Sequence, residues 1–413
     1  MTASPERRGS SYPSSVLFLT PRWARDGGVG AHVQASAALL AERGARVSVL
    51  VARVESDDRP AGVTLHENTS LFDRTARADV RLGDALSDSP ELVHLHQVED
   101  SALVDAIRPH APIVISAHGY SACSSGVYYF RPGHECTRGH GPGCIPNLLV
   151  GGCAHFRNRA RIPSFYAKAS RGYAALSHSD FTVSYSSAVD RHLAANGIHD
   201  RMIVPYFPTM PARVGEGHGG RRRVVFAGRV VHAKGVHVLL RAAREVDAEF
   251  IVCGDGLQLE AMRRLARRYR LGQRVSFTGW LAPGDLAQQL ADASVIAVPS
   301  VWPEPFGLVD IEGFEAGRPS VASATGGIGD WLTHDVSGLL VTPGDSRALA
   351  RALNELLADP DRQRAMGAAG REHANANFSK ERHLETLLDA YRRARELWSA
   401  RGGTEAEPAR VNA

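Results

Sequence analysis

The sequence predicts an α/β protein built from two doubly wound parallel sheets that face a shared cleft. Three observations carry this. A strand, a Gly-rich turn, a helix and a second strand follow one another over residues 16–52. A stretch rich in Pro and Gly, Pro208–Gly220 (PTMPARVGEGHGG), has no apolar period and reads as a linker. After it, strand and helix patterns start afresh. A length of 413 residues suits two or three domains of ~150 residues each.

Taken in order, residues 1–15 are polar and read as a disordered tail without a signal core, so a cytoplasmic protein is expected. Val16–Thr20 is a short apolar run of the kind a buried strand shows. Asp26-Gly27-Gly28-Val29-Gly30 makes the turn. Ala31–Arg43 has apolar residues at helical spacing, with Gly44 as its stop. Arg46–Ala52 is the next strand. Such a βαβ unit implies parallel pairing under a helical cover. Leu92–Leu95, Ile113–Ser116 and Phe181–Ser184 extend the sheet, giving a first domain over residues 16–207.

Beyond the linker, residues 221–380 form the second domain. Its strands fall at Val224–Ala227, Glu249–Cys253, Val275–Thr278, Val295–Pro299 and Ser320–Ser323. Lys380–Arg401 is a long amphipathic helical pattern with Leu384, Leu387, Leu388, Tyr391 and Trp398 at apolar positions. Residues 402–413 read as a second disordered tail. Ligands of such sheets bind beyond the C-terminal strand ends, so the cleft between the two is the expected active site.

Composition narrows the class. A hydrophobic fraction of 44% and a charged fraction of 22% exclude a disordered chain, a collagen-like fibre and a coiled coil. No apolar run reaches the ~18–20 residues of a membrane span. A net charge of +4 suits a phosphate-bearing ligand or an anionic surface. No Arg/Lys block is interleaved with aromatics, so nucleic acid is not an expected partner. Only Lys168, Lys234 and Lys380 are lysine, leaving 45 of the 48 basic residues as arginine. That bias fits a GC-rich genome, such as an actinobacterial one.

Pro303–Gly317 (PEPFGLVDIEGFEAG) is the most informative stretch. It follows a strand, and a helix is expected to start near Gly307. Gly307 and Leu308 then offer backbone N–H groups at the positive end of the helix dipole, where a phosphate binds. Glu304 before the helix and Glu312 two turns along are placed to accept hydrogen bonds from sugar or ribose hydroxyls. A capping Glu304 and a solvated Glu312 would give the same letters. Gly228-Arg229 and Lys234-Gly235 follow strand Val224–Ala227. Arg229 can grip a phosphate bidentately and Lys234 acts as a point charge, although two solvated loop cations read alike. Gly254-Asp255-Gly256 and Gly279-Trp280-Leu281 are strand-end turns that either border a base or serve only as turns.

In the first half, Gly27-Gly28 lets the backbone approach a ligand, or simply makes the turn. His118 sits just past strand Ile113–Ser116. His94 and His96 look like sheet-end packing residues. Cys123, Cys136, Cys144 and Cys153 lie in a Gly-rich loop at 119–155 with His134, His140 and His155 nearby. Thiolates and imidazole suit a structural zinc, yet no close C-x2-C pair is present. Reduced thiols and disulfides stay open as alternatives. His155–Arg171 (HFRNRARIPSFYAKASR) is basic with three aromatics and reads as a solvated face or a peripheral membrane contact.

Together, GRVVHAKG, CGDG, SVWPEPFGLVDIE and ATGGIGDWL, in that order, closely resemble the retaining nucleotide-sugar glycosyltransferases of family four (group 1). The resemblance covers essentially the whole chain and is strongest over residues 224–344. It implies the GT-B fold, with the C-terminal helix crossing back to the first domain. It implies a nucleoside-diphosphate-sugar donor, UDP- or GDP-linked, and no required cofactor. Arg229 and Lys234 would hold the diphosphate, with Phe306, Gly307 and Leu308 presenting backbone groups to it. Glu304 would bond the donor sugar and Glu312 the ribose. Gly27 and Gly28 would lie over the donor phosphates, and His118 beside the reacting bond. The acceptor would be a small metabolite, a glycan or a lipid carrier.

Three departures stand out. Asp330 occupies the place of a usual Glu. Gly313 and Glu315 replace alanines, which predicts a less regular helix. Tyr206 stands in place of a usual Asn after Pro205. Competing readings are a GT-B epimerase or phosphorylase, a non-catalytic sugar-nucleotide binder, and an adaptor for an anionic surface or nucleic acid. A pyridoxal-type phosphorylase needs a Schiff-base lysine, and neither Lys168 nor Lys380 is well placed for that.

Overall fold

The computed structural model describes residues 13–25, 27–123, 136, 139–149, 153, 159–211, 213 and 222–403. Most of the two expected tails, most of the expected linker and much of the Cys-rich loop, with His134 and His155, lie outside the described residues.

The first sheet has seven strands: β1 (Ser15–Trp23), β2 (Arg46–Val54), β3 (Val63–Glu67), β4 (Leu92–His96), β5 (Ile113–Ala117), β6 (Phe181–Ser184) and β7 (Arg201–Ile203). Their order is β3-β2-β1-β4-β5-β6-β7. The second has six: β8 (Arg223–Ala227), β9 (Glu249–Cys253), β10 (Val275–Gly279), β11 (Val295–Val298), β12 (Ser320–Ser323) and β13 (Gly338–Val341), ordered β10-β9-β8-β11-β12-β13. Every pair within the two sheets is parallel. Each sheet is Rossmann-like, starting in the middle and winding outward in both directions. The winding reverses between β1 and β4 and again between β8 and β11. A crevice opens at such switch points.

The central strands are apolar because helices cover both faces. All five residues of β4 and of β5 are buried. The strands missing from the sequence reading, β3, β7 and β13, are short and lie at or near sheet edges. β3 interleaves polar Thr64 and His66 with its apolar residues, β7 has three residues, and β13 has four.

The helix Lys380–Ala400 crosses back onto the first sheet. Tyr391 Oη lies 2.8 Å from His94 Nδ1, and Trp398 Nε1 donates to the Arg108 carbonyl at 2.8 Å. One apolar core runs from Phe18 and Val49 through Leu387 and Tyr391 to Phe306, Phe314 and Trp331. Packing therefore joins the two sheets. A polar clasp adds to it: Asp330 accepts from Ser187 N at 2.7 Å and Ser187 Oγ at 2.5 Å, at the start of the helix Ser187–Ala195.

The helix Leu308–Glu315 is continuous, contrary to the irregularity expected from Gly313 and Glu315. A Cβ on Gly313 would lie 2.0 Å from Ile296 Cδ1. The glycine lets this helix press onto β11.

Candidate functional site

The C-terminal ends of β1, β5, β8 and β11 converge on one cleft of about 1140 Å³. Gly27, Gly28, His118, Arg229, Lys234, Glu304, Phe306, Gly307 and Leu308 all line it. Of the site residues that the sequence suggests, only Glu312 does not.

The second-sheet wall is built by loops pressed against one another. After β8, His232–Lys234 forms a single 3-10 turn. Gly235 ends it with φ 71°, and a Cβ there would lie 1.8 Å from the Pro299 carbonyl oxygen. Val301 N donates to the Ala233 carbonyl at 2.9 Å. The turn is thus locked to the end of β11, and Lys234 meets Glu304. The Lys234 ammonium lies 2.9 Å from both carboxylate oxygens of Glu304. Ser300 Oγ donates to Glu304 at 2.5 Å and Trp302 Nε1 at 3.1 Å. A carboxylate only 2% exposed is therefore fully partnered. Arg229 is exposed on the same wall, and no ion pair to it is found among the described residues.

Gly307 precedes the helix Leu308–Glu315 with φ 106°, a conformation that other residues rarely adopt. Leu308 and Val309 are the first helical residues, so their N–H groups have no intrahelical acceptor. Both residues line the cleft. Trp331 Nε1 donates to the Phe306 carbonyl at 2.7 Å and holds the loop from behind. Across the cleft, a Cβ on Gly28 would lie 2.8 Å from Leu308 Cδ1. The two walls touch there.

Asp310, in the first turn of that helix, is a lining residue that sequence reasoning missed. It is 4% exposed. Burial pushes its carboxyl well above the usual range; Lys234 opposes that, and Glu304 and Glu312 add to it. An acidic residue in a first helical turn is common, so its letter gave no signal. Glu312 lies outside the cleft lining, with its Oε1 accepting from Thr209 N and Thr209 Oγ1, each at 3.2 Å. Burial raises its carboxyl to about 7.

The first-sheet wall is made of rings. His118 Nε2 lies 3.0 Å from His96 Nδ1, and His118 Nδ1 lies 2.8 Å from Tyr206 Oη. Its ring stacks on Tyr185, with centroids 4.7 Å apart. Burial lowers its pKa to about 3, so the imidazole is neutral at pH 7. Both nitrogens are occupied by protein. Tyr206 thus has a definite place, partnering His118 and packing against Phe306 at 5.0 Å. His94 and His96 are fully buried, His94 bonding Tyr391 and Ser116.

The structural zinc, one of three alternatives for the Cys-rich loop, is not found among the described residues, where no group of three His, Cys, Asp or Glu could hold a metal ion. Cys123 and Cys136 pack on the apolar core that holds Leu95 and Ile115. Cys144 and Cys153 sit in a separate cluster with Leu148, Ile162 and Tyr166. Cys136 and Cys144 are free thiols. No helix among the described residues is long and apolar enough to cross a membrane.

Residues 213–373 match the family model described as "Glycosyl transferases group 1". A lipopolysaccharide core biosynthesis glycosyltransferase, LpsD, of Rhizobium meliloti is 35% identical over 171 residues, 41% of this chain and 49% of that protein. A GDP-mannose-dependent alpha-(1-6)-phosphatidylinositol monomannoside mannosyltransferase of Mycobacterium tuberculosis is 36% identical over 185 residues, 42% and 48% of the two chains. The chain spans about half the length of these curated relatives. Sucrose-phosphate synthase from Thermosynechococcus elongatus superposes with a TM-score of 0.69 at 21% identity, covering 94% of this chain and 100% of that one. HepE from Anabaena, solved with UDP and glucose, gives 0.64 at 18%, covering 91% and 98%. The fold is GT-B, and the stretch of it that matches the group 1 glycosyltransferase model is residues 213–373.

Proposed function

We propose that this protein is a retaining glycosyltransferase of family four that moves a sugar from a nucleoside diphosphate to an acceptor hydroxyl. The observation that carries this reading is the second wall of the cleft. There Arg229, Lys234 and the open amides of Leu308 and Val309 collect positive charge at one place. The neighbouring Glu304 offers a carboxylate for hydroxyls. The GDP-mannose in the name of the M. tuberculosis enzyme and the UDP bound in the HepE structure agree with a GDP- or UDP-sugar donor.

The chemical problem is charge. As the bond from C1 to the diphosphate oxygen breaks, the sugar approaches an oxocarbenium ion and the diphosphate gains negative charge. Preorganised cations and helix-end amides stabilise that charge where it develops. Arg229, Lys234 and the helix start supply it, so no metal ion or other cofactor is required. The acceptor oxygen attacks C1 on the face the diphosphate leaves, and its proton passes to the departing phosphate oxygen. No protein nucleophile is involved.

Lys234 holds the diphosphate and Glu304 binds donor hydroxyls, so their mutual ion pair loosens when the donor enters. Glu312 reaches the ribose by exchanging its Thr209 partner, and His118 reaches the sugar by exchanging Tyr206 or His96. Gly27 has open space around it for the donor phosphates. The C-terminal helix keeps the acceptor and donor walls in one body.

The test is donor turnover. UDP-glucose and GDP-mannose are incubated with the protein, and nucleotide release is followed with and without a panel of hydroxyl acceptors. Release from one donor, retention of the anomeric configuration in the product, and a loss of ~10²-fold or more in Lys234→Ala support the reading. Tight nucleotide-sugar binding with no turnover under any acceptor overturns it in favour of a non-catalytic binder.

A further inference from the structure

Asp310 lines the cleft, and the proposed function gives it no task. It is the third residue of the helix Leu308–Glu315, directly after the open amides of Leu308 and Val309. Its carboxyl folds back toward the helix start, where a Cβ added to Gly307 would collide with Asp310 Oδ2. An ionised Asp in a first helical turn is favoured by the helix dipole and by amides free to bond it. Here no backbone or side-chain donor reaches the carboxyl among the described residues. The Trp331 indole, on the same side of Gly307, already donates to the Phe306 carbonyl at 2.7 Å.

The charges around Asp310 supply no partner either. Lys234 faces it from the loop after β8, Glu304 from the loop before the helix and Glu312 from the helix itself. The Lys234 ammonium is 2.9 Å from Glu304 and forms no ion pair with Asp310. Glu312 is held by Thr209. Three carboxyls thus share one cation. Ionising a carboxyl that is 4% exposed and has no donor is costly, and the neutral acid avoids that cost. A neutral carboxyl carries one O–H, which is a hydrogen-bond donor. It stands beside amides that suit a phosphate. An ionised Asp310 would repel a diphosphate at that helix start, whereas a neutral one adds a donor to it.

We infer that Asp310 belongs to the donor site as a neutral acid, donating its carboxyl O–H to a diphosphate oxygen beside the amides of Leu308 and Val309. This rests on the glycosyltransferase reading, which supplies the diphosphate. No bond to carbon or phosphorus is made or broken at Asp310, and its proton stays on the carboxyl. Nucleotide binding is then linked to one proton. Affinity weakens as pH rises through the titration of Asp310 in the free protein, because the acid must take up a proton before the phosphate docks.

The experiment titrates whichever of UDP and GDP binds the full chain, by calorimetry, from pH 6 to pH 9. Asp310→Asn keeps a neutral donor at every pH, and Asp310→Leu keeps the size and removes the donor. Urea midpoints report whether both variants fold. Ratios between proteins at one pH cancel titration of the nucleotide itself. At pH 6 Asp310→Leu is expected to bind about tenfold or more weakly than the wild type, and Asp310→Asn to recover most of that loss. As pH rises, the wild type weakens relative to Asp310→Asn. Binding by Asp310→Asn that is tenfold tighter than wild type already at pH 6 would show an ionised, repelling Asp310 and overturns the inference. Wild-type affinity in Asp310→Leu overturns it too. So does a loss in Asp310→Leu seen with the nucleotide sugar and not with the nucleoside diphosphate, since the acid would then read the sugar. If neither variant folds, the wild type decides through proton exchange on binding at pH 9, read in buffers of different ionisation enthalpy. Uptake supports the inference, and release or no exchange overturns it. If the wild type binds neither nucleotide, it is the glycosyltransferase reading that fails.

Discussion

At the floor of the cleft the first sheet presents neutral rings, whereas the second presents charge. His96, His118, Tyr185 and Tyr206 contact one another through hydrogen bonds and stacked faces. Opposite them stand Arg229, Lys234, Glu304 and Asp310. Both walls come from the same kind of sheet at the same kind of switch point. The difference teaches that the fold supplies the location and the loops supply the chemistry. It also separates the two halves by pH. The buried imidazoles favour their neutral forms and the Asp310 carboxyl its protonated form, so these groups respond to pH in opposite directions.

The sharpest way to break the contrast is at the turn that sets the charged wall. Gly235→Ala puts a Cβ into the Pro299 carbonyl at a left-handed φ, and is expected to cost about 4 kcal/mol or to prevent folding. Gly27→Ala meets nothing within 4 Å and carries only the strain of its φ of 135°, about 1–2 kcal/mol. Urea unfolding of the two variants compares them, and equal losses would contradict the loop-locking account.

Next comes the ion pair. Glu304→Gln leaves the Lys234 ammonium with a neutral partner in a partly buried place, at a cost of about 3 kcal/mol before its partial exposure is discounted. Donor turnover falls with it. A variant as stable and as active as the wild type would remove Glu304 from the site.

The carboxyl of Glu312 is raised from the ordinary 4.5 to about 7. A raised folded-state value adds stability below pH 4.5, and that stability is lost as pH rises through 7. Glu312→Gln should therefore spare the protein a loss on the order of 2 kcal/mol between pH 5 and 8, read from denaturant midpoints. His118 and His383 behave the other way, with folded values lowered to about 3 and about 4. Their stability is present above the ordinary 6.5 and is lost as pH falls toward 4. Parallel pH curves for wild type and Glu312→Gln would show that the carboxyl is not buried as described.

The smallest effect is expected at Tyr206→Phe, which removes one hydrogen bond from His118 for about 1 kcal/mol and leaves nucleotide affinity unaltered. A large loss of nucleotide affinity would mean that the two walls are not separable.

Much of the second wall was legible in the sequence, because its chemistry rests on contiguous letters. Gly228-Arg229, Lys234-Gly235 and Glu304 to Leu308 each mark a strand end, and the buried strands before them are plain apolar runs. The first wall was legible only in part. Gly27, Gly28 and His118 could be named, but the partners of His118, which are His96, Tyr185 and Tyr206, come from three other places in the chain and meet only when β4, β5, β6 and β7 align. Asp310 was hidden because a helix start excuses any acid. Edge strands β3 and β7 were hidden because they are half-exposed and lack a continuous apolar signal, and β13 because its apolar run is only four residues long. The role of Gly313 was misread, since close helix–strand packing leaves no mark in a single sequence.

The account rests on the second wall holding a nucleoside diphosphate. Calorimetric titration of UDP, GDP, ADP and dTDP into the wild type and an Arg229→Ala, Lys234→Ala double variant tests that most directly. The account predicts micromolar binding of one nucleotide and a loss of ~10²-fold or more in the variant. No binding of any of the four at millimolar concentration, or equal binding by the double variant, would contradict it.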